Sequence, residues 1–196
     1  MELRNPEIQH RREGRSKPGF TSFKCSAPIA YPSRVCRDAL IQATLDSAWD
    51  RLDPLPNSSG TQNDSDQMFG FFAWAGDKRF AIGIDFPGDP ATTADRKPRT
   101  LLFARQAILA EPHLSATRTI WSFKDRIVPL RLRLTILSSI QSIGGEIRVS
   151  DLAEIVPESK ECVIESTFAM MCQGGITLRR TSADAAQTVI SATKGR

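Results

Sequence analysis

Asp85 closes an apolar run, KRFAIGIDF, and ten residues later stands Asp95-Arg96-Lys97. A carboxylate, a gap and then an Asp/Glu-x-Lys triplet is the layout of metal-dependent nucleases. Oxygen ligands from Asp85 and Asp95 would hold Mg²⁺, which polarises a scissile phosphate and activates water. Lys97 would stabilise the anionic transition state. The flanks of the triplet, TTADRKPR, do not read as an apolar strand, and Pro98 follows it directly. Two of the residues therefore keep a structural reading beside the catalytic one. Asp85 can cap a turn at a strand end, and Lys97 can be a solvated or phosphate-contacting lysine.

A second stretch, Ser33-Arg34-Val35-Cys36-Arg37-Asp38, puts a serine at a helix start. Three residues on stands a thiol, where a capping box carries Glu or Gln. Cys36 is either an ordinary packed cysteine or the replacement of a carboxylate that did chemistry. As a soft ligand it is a poor substitute for carboxylate toward Mg²⁺. Other chemistries lack their residues. The histidines are His10 and His113, and Cys25, Cys36, Cys162 and Cys172 form no CxxC pair, which argues against structural zinc or haem. No GxxxxGK[ST], GxGxxG or GxSxG motif is present.

The elements that must position these residues can be read from periodicity and punctuation. Ser33 caps a helix through Asp46, with Val35, Cys36, Ala39, Leu40 and Ala43 on one face. DPLPNSSGTQNDSDQ is a loop. FGFFAWA and KRFAIGIDF flank Gly76-Asp77 as a hairpin, followed by a loop or weak strand. Leu101–Ala110 reads as a helix and Arg118–Phe123 as a strand, with Trp74 and Trp121 in the core. Strand, helix and strand in this order predict an α/β fold with a mixed sheet and flanking helices.

After residue 127 the pattern changes. Pro129 opens a helix with Leu130, Leu134, Leu137 and Ile140 at three- or four-residue spacing, stopped by Gly144-Gly145. EIRV is a short strand, Ser150 caps SDLAEIV, and a further helix runs from Ser159 to Cys172. Gly174-Gly175 ends it, and ITLRRT is the closing strand. That succession is the order of a winged helix. The expected organisation is a basic arm over 1–24, a core over 25–127, a winged helix over 128–181 and a flexible tail over 182–196.

A net charge of +4 is modest for 196 residues, but it is unevenly placed. Arg96 to Arg133 holds nine basic residues against Glu111 and Asp125, a local excess of +7. This predicts an anionic partner such as DNA, contacted by Arg96, Arg99, Arg105, Lys124, Arg126, Arg131 and Arg133. Gly145 to Gly175 holds two basic residues against six acidic ones, an excess of −4. Glu158, Glu161 and Glu165 share a helix face there. An acidic face repels phosphate, so a protein partner is expected for it. No apolar run spans a bilayer, and MELRNPEIQHRREGRSKPG lacks the apolar centre of a signal peptide, so no membrane partner and a cytoplasmic location are expected.

Taken in order, these stretches resemble the TnsA-like transposon endonucleases. Ser33-Arg34-Val35-Cys36-Arg37-Asp38 is similar to that family's S-x-x-E-R-D segment, with Cys36 in place of the glutamate. LDSAWDRLDPLPN follows the spacing of its D-P-x-V and Q-P elements, with Asp46 and Pro56 in place and Leu55 where glutamine is expected. Ile84-Asp85-Phe86 resembles its P-D-F, and Asp95-Arg96-Lys97 stands for its E/Q-x-K. The resemblance covers about residues 20 to 175 and implies a restriction-endonuclease-like core followed by a winged helix. It further implies Mg²⁺-dependent DNA cleavage by a degenerate site, with transposition proteins as partners of the C-terminal domain. The alternative is a non-catalytic DNA-binding or regulatory protein that kept the fold, and a third is a scaffold for protein partners.

Overall fold

The computed structural model describes residues 19–55, 69–85, 100–180, 182 and 184–193, and of Asp85 the backbone alone. Helix α1, Arg34–Leu45, begins where its cap predicts, with the Ser33 Oγ accepting the Cys36 N–H. That satisfies one of the four amide donors a helix leaves unpaired at its start. The other end is closed from a distance. Lys24 Nζ lies 2.6 Å from the Asp46 carbonyl oxygen, a cation against the negative end of the helix dipole.

Strands β1 (Arg51–Pro54), β2 (Gly70–Ala75), β3 (Lys78–Asp85) and β4 (Thr100–Ala104) form a mixed sheet in that order. The first three run antiparallel, and β4 lies parallel to β3. Gly76 turns the β2–β3 hairpin at φ +57°, a conformation that costs glycine little. One sheet face is apolar and buried, through Leu52, Phe71, Ala73, Ile82 and Ile84. On the other, Arg51 sits 4.2 Å from the Trp74 ring centre and Arg79 sits 4.6 Å from that of Phe72. Asp53 accepts the Trp74 indole N–H at 2.6 Å. These cation–π contacts let half-buried aromatics and charged side chains share one surface.

Short α2 (Arg105–Ile108) and α3 (His113–Trp121) lead to α4 (Leu130–Ser142), β5 (Glu146–Arg148), α5 (Val149–Ile155), α6 (Lys160–Cys172), β6 (Ile176–Arg180) and β7 (Val189–Ala192). Strands β5, β7 and β6 make a second, antiparallel sheet with β7 in the middle. The molecule is thus a mixed α/β protein with a four-stranded mixed sheet and flanking helices. Buried side chains of both sheets and of α1, α3, α4, α5 and α6 belong to one continuous core. No helix among the described residues is long and apolar enough to cross a membrane.

Several local expectations are corrected. The segment expected as a helix over 101–110 begins as β4, because pairing with β3 overrides the helix preference of Leu-Leu-Phe-Ala-Arg. The strand expected over 118–123 is the end of α3, where Leu114, Thr117 and Trp121 recur on the buried face at helical spacing. Trp121 is buried as expected, but from a helix, and it stacks on Phe20 at 5.3 Å between ring centres. Trp74 is half-buried, on the opposite sheet face from the core. Helix α5 starts at Val149, so Ser150 lies inside its first turn and does not cap it.

The ends of the chain also differ from expectation. Phe20 pairs with Ile29 and is buried, so the arm boundary at 24 falls inside packed structure, while residues 1–18 lie outside the described residues. The segment expected as a flexible tail contributes β7, whose Ile190 is fully buried between two strands. A four-residue strand carries too little periodicity to announce itself, and its place is supplied by partners in β5 and β6 outside the segment itself.

Candidate functional site

Cys36 is fully buried in the first turn of α1. Its thiol receives a hydrogen bond from the Ser33 hydroxyl at 3.1 Å, and burial pushes its pKa up. A neutral, enclosed thiol is a packing group, neither a nucleophile nor a ligand for a hard cation. Cys36 is thus a packed thiol at the start of α1.

Two residues on, the same helix holds a charge that sequence reasoning passed over. Asp38 is 3% exposed, and Arg118 of α3 grips it with both Nε at 3.1 Å and Nη2 at 2.6 Å. This two-pronged contact fixes α3 against α1 and raises the Arg118 pKa, chiefly through the hydrogen bond to Asp38. The signal available in sequence was an Arg-Asp pair entering an apolar helix face; the partner, 80 residues away, gave none.

Asp85 ends β3, and its backbone neighbour across the sheet is Ala104. The strand beside it, Thr100–Ala104, brings neither carboxylate nor lysine. Asp95 and Lys97 lie outside the described residues, as do Arg96 and Arg99. Among the described residues no group of three His, Cys, Asp or Glu side chains gathers in a way that could hold a metal ion.

Four of the six described basic residues of this stretch are engaged within the molecule. Arg118 holds Asp38, Arg126 pairs with Glu165, Lys124 pairs with its neighbour Asp125, and Arg133 donates to the Gln173 side chain at 2.7 Å. Arg105 and Arg131 are exposed, and no acid pairs with them among the described residues. The acidic face divides as well. Glu165 is taken by Arg126, whereas Glu158 and Glu161 are exposed without a cation among the described residues. The three glutamates therefore do not act as one free surface, because the middle of the chain folds back to neutralise one of them.

Helix α6 also departs from a surface element. From Ser166 to Cys172 every residue is buried, enclosed by α3, α5, β6 and α1. Cys172 lies in this segment, and burial pushes its thiol up to about 12. At the end of α1, a cleft of about 340 Å³ is lined by Gln42, Asp46, Trp49, Phe103, His113 and Arg179. Three of its polar groups are already occupied. Gln42 donates to the Ile108 carbonyl, Asp46 accepts the Ala48 N–H, and Arg179 donates to the Ser191 hydroxyl. This cleft is a joint between the two sheets, lined by Phe103 of β4 and Arg179 of β6. Comparison with protein-family models, curated proteins and solved structures found no match.

Proposed function

We propose that the chain is a DNA-acting protein that keeps a restriction-endonuclease-like core and a winged helix, resembles the TnsA-like endonuclease subunit, and has lost metal-dependent cleavage. The observation that carries this reading is Cys36: a buried, hydrogen-bonded thiol with a raised pKa stands where the family's metal-binding glutamate would be. Support for the fold comes from the antiparallel β1–β2–β3 meander with β4 parallel to β3. Support for the winged helix comes from the succession α4-β5-α5-α6-β6-β7 and its strand order β5-β7-β6. With Asp85 and Asp95 as the remaining acids, Mg²⁺ would be held by too few oxygens for a stable site.

DNA contact then falls to arginines outside the internal pairs. Arg105, Arg131 and Arg180 are exposed, and Arg96 and Arg99 complete the basic set. The buried end of α6 cannot enter a groove, so binding is to the phosphate backbone and tolerant of sequence. Four phosphates would give a log K against log salt slope of about −3.6, from roughly −0.9 each.

The test has two arms. Plasmid nicking with Mg²⁺ and Mn²⁺ should be absent for the wild type and unchanged by Asp85→Ala; robust cleavage lost in Asp85→Ala would restore the endonuclease. Filter binding across a salt series should weaken as stated, and Arg105→Ala with Arg131→Ala should flatten the slope. An affinity indifferent to salt would remove DNA from the reading.

A further inference from the structure

The cleft at the end of α1 lies where several elements meet. Gln42, Asp46 and Trp49 come from α1 and the turn after it, Phe103 from β4, Ala107 from α2, and His113 opens α3. Arg179 comes from β6, which a bridge between Asp46 and Leu178 ties to the end of α1. Ligand sites favour such junctions between structural units.

The lining combines flat apolar walls with polar groups of both kinds. Trp49 and Phe103 are half-buried against the core. Trp49 makes an edge-on contact with Phe80 at 5.6 Å between ring centres, while Phe103 has no ring partner among the described residues. The bonds already made leave much of the polar lining unused. The His113 ring, the Ser47 hydroxyl, Asp46 Oδ2, Gln42 Oε1 and the Arg179 Nη atoms have no hydrogen bond among the described residues. Donors and acceptors therefore stand together beside two aromatic rings.

This lining selects among ligands. Asp46 is in the cleft and Glu146 lies 3.7 Å from Arg179 Nε, so the guanidinium is offset and a bare phosphate is disfavoured. A purely apolar ligand would cover the carboxylate and the guanidinium without pairing either. A flat heterocycle with donors and acceptors on its edge meets both requirements. At about 340 Å³ the cleft is at the small end of ligand sites, with room for one such ring and not for a duplex.

We infer that this cleft takes one unstacked nucleobase of DNA, its ring against Trp49 and Phe103 and its edge toward Asp46, His113 and Gln42. The inference rests on the DNA reading and adds which part of the polymer enters the molecule. Arg105 is exposed two residues after Phe103, with no acid paired to it among the described residues, and is available to a flanking phosphate. Stacking accepts any base, in keeping with sequence-tolerant binding. A base inside a duplex is covered on both faces, so the ligand is an unpaired nucleotide.

The test reads the cleft directly in the full chain. His10 and His113 are the two histidines, so the imidazole carbon-bound proton signals are few, and His113→Asn assigns them. The probes are the four deoxynucleoside monophosphates and an unpaired oligonucleotide, with deoxyribose phosphate as the ringless control. Nucleotides and oligonucleotide should shift the His113 signal saturably, and the control should leave it in place. Phe103→Leu keeps an apolar wall but removes the ring, and should weaken nucleotide binding about fivefold or more, as expected for losing one stacked base. Circular dichroism checks its folding, and Trp49→Leu takes its place if it is unfolded. A His113 signal indifferent to nucleotides, or one moved equally by deoxyribose phosphate, would overturn the base pocket. So would undiminished binding in the folded ring variant, or an oligonucleotide that leaves the signal unmoved while free nucleotides shift it. Filter binding of duplex DNA across the salt series is independent of these outcomes, so an empty pocket with salt-dependent affinity leaves the DNA reading standing.

Discussion

Removing Arg118 strands a buried charge, and the size of the penalty follows from the asymmetry of the pair. The Asp38 side chain is 3% exposed and the Arg118 side chain 50% exposed. In Arg118→Ala, the Asp38 carboxylate loses two charge-assisted hydrogen bonds at a buried position. Breaking a buried ion pair by deleting one partner costs about 3–5 kcal/mol. The Arg118 side chain is already half in solvent, which weakens the contact being lost, and about 2–3 kcal/mol is the expected loss. Asp38→Ala is different. It leaves a guanidinium that can turn to water, so the loss should be about 1 kcal/mol. Urea unfolding should show the difference as a shift in midpoint with an unchanged m value. A loss below about 0.5 kcal/mol in Arg118→Ala, or a larger loss in Asp38→Ala, would refute the assignment of Asp38 as the stranded partner. DNA affinity should be nearly unchanged in Arg118→Ala, because this arginine is already occupied.

Alkaline stability should report Cys172. Its folded pKa is raised from 9.0 to about 12, so the unfolded thiol ionises first and stability falls as pH rises through that window. The loss is about 1.4 kcal/mol per pH unit above about pH 9, and Cys172→Ala should remove that part of the slope in urea midpoints. Truncation after Arg180 should abolish cooperative unfolding, because β7 is the middle strand of its sheet; a truncated chain with a sharp thermal transition would contradict this. Gly174→Ala should cost about 1–2 kcal/mol in thermal or urea unfolding, since Gly174 has φ +79° and an added Cβ would approach the Phe23 ring to 2.6 Å. Cys36→Glu should lower stability without conferring nicking, because a carboxylate at this fully buried position lacks a partner; a stable, Mg²⁺-dependent nuclease would reverse that expectation.

What the amino-acid sequence determined by itself is local. Ser33 and Ser159 cap their helices, Gly76 turns its hairpin, and the Gly144-Gly145 and Gly174-Gly175 pairs stop α4 and α6. Each effect arises within a few residues of the side chain that causes it, so spacing alone reveals it. Tertiary structure decided the rest. Whether Leu101–Phe103 is strand or helix depended on the free edge of β3, and whether residues 189–192 are tail or core depended on β5 and β6. The arginines of the basic stretch looked alike in sequence. Asp38, Glu165 and Gln173 sorted them into internal anchors and free charges across 80, 39 and 40 positions respectively. Cys36 belongs to both levels. Its helix and inward face follow from the Ser33 cap and the apolar spacing, but only the enclosing core makes the thiol unable to stand in for a metal-binding carboxylate.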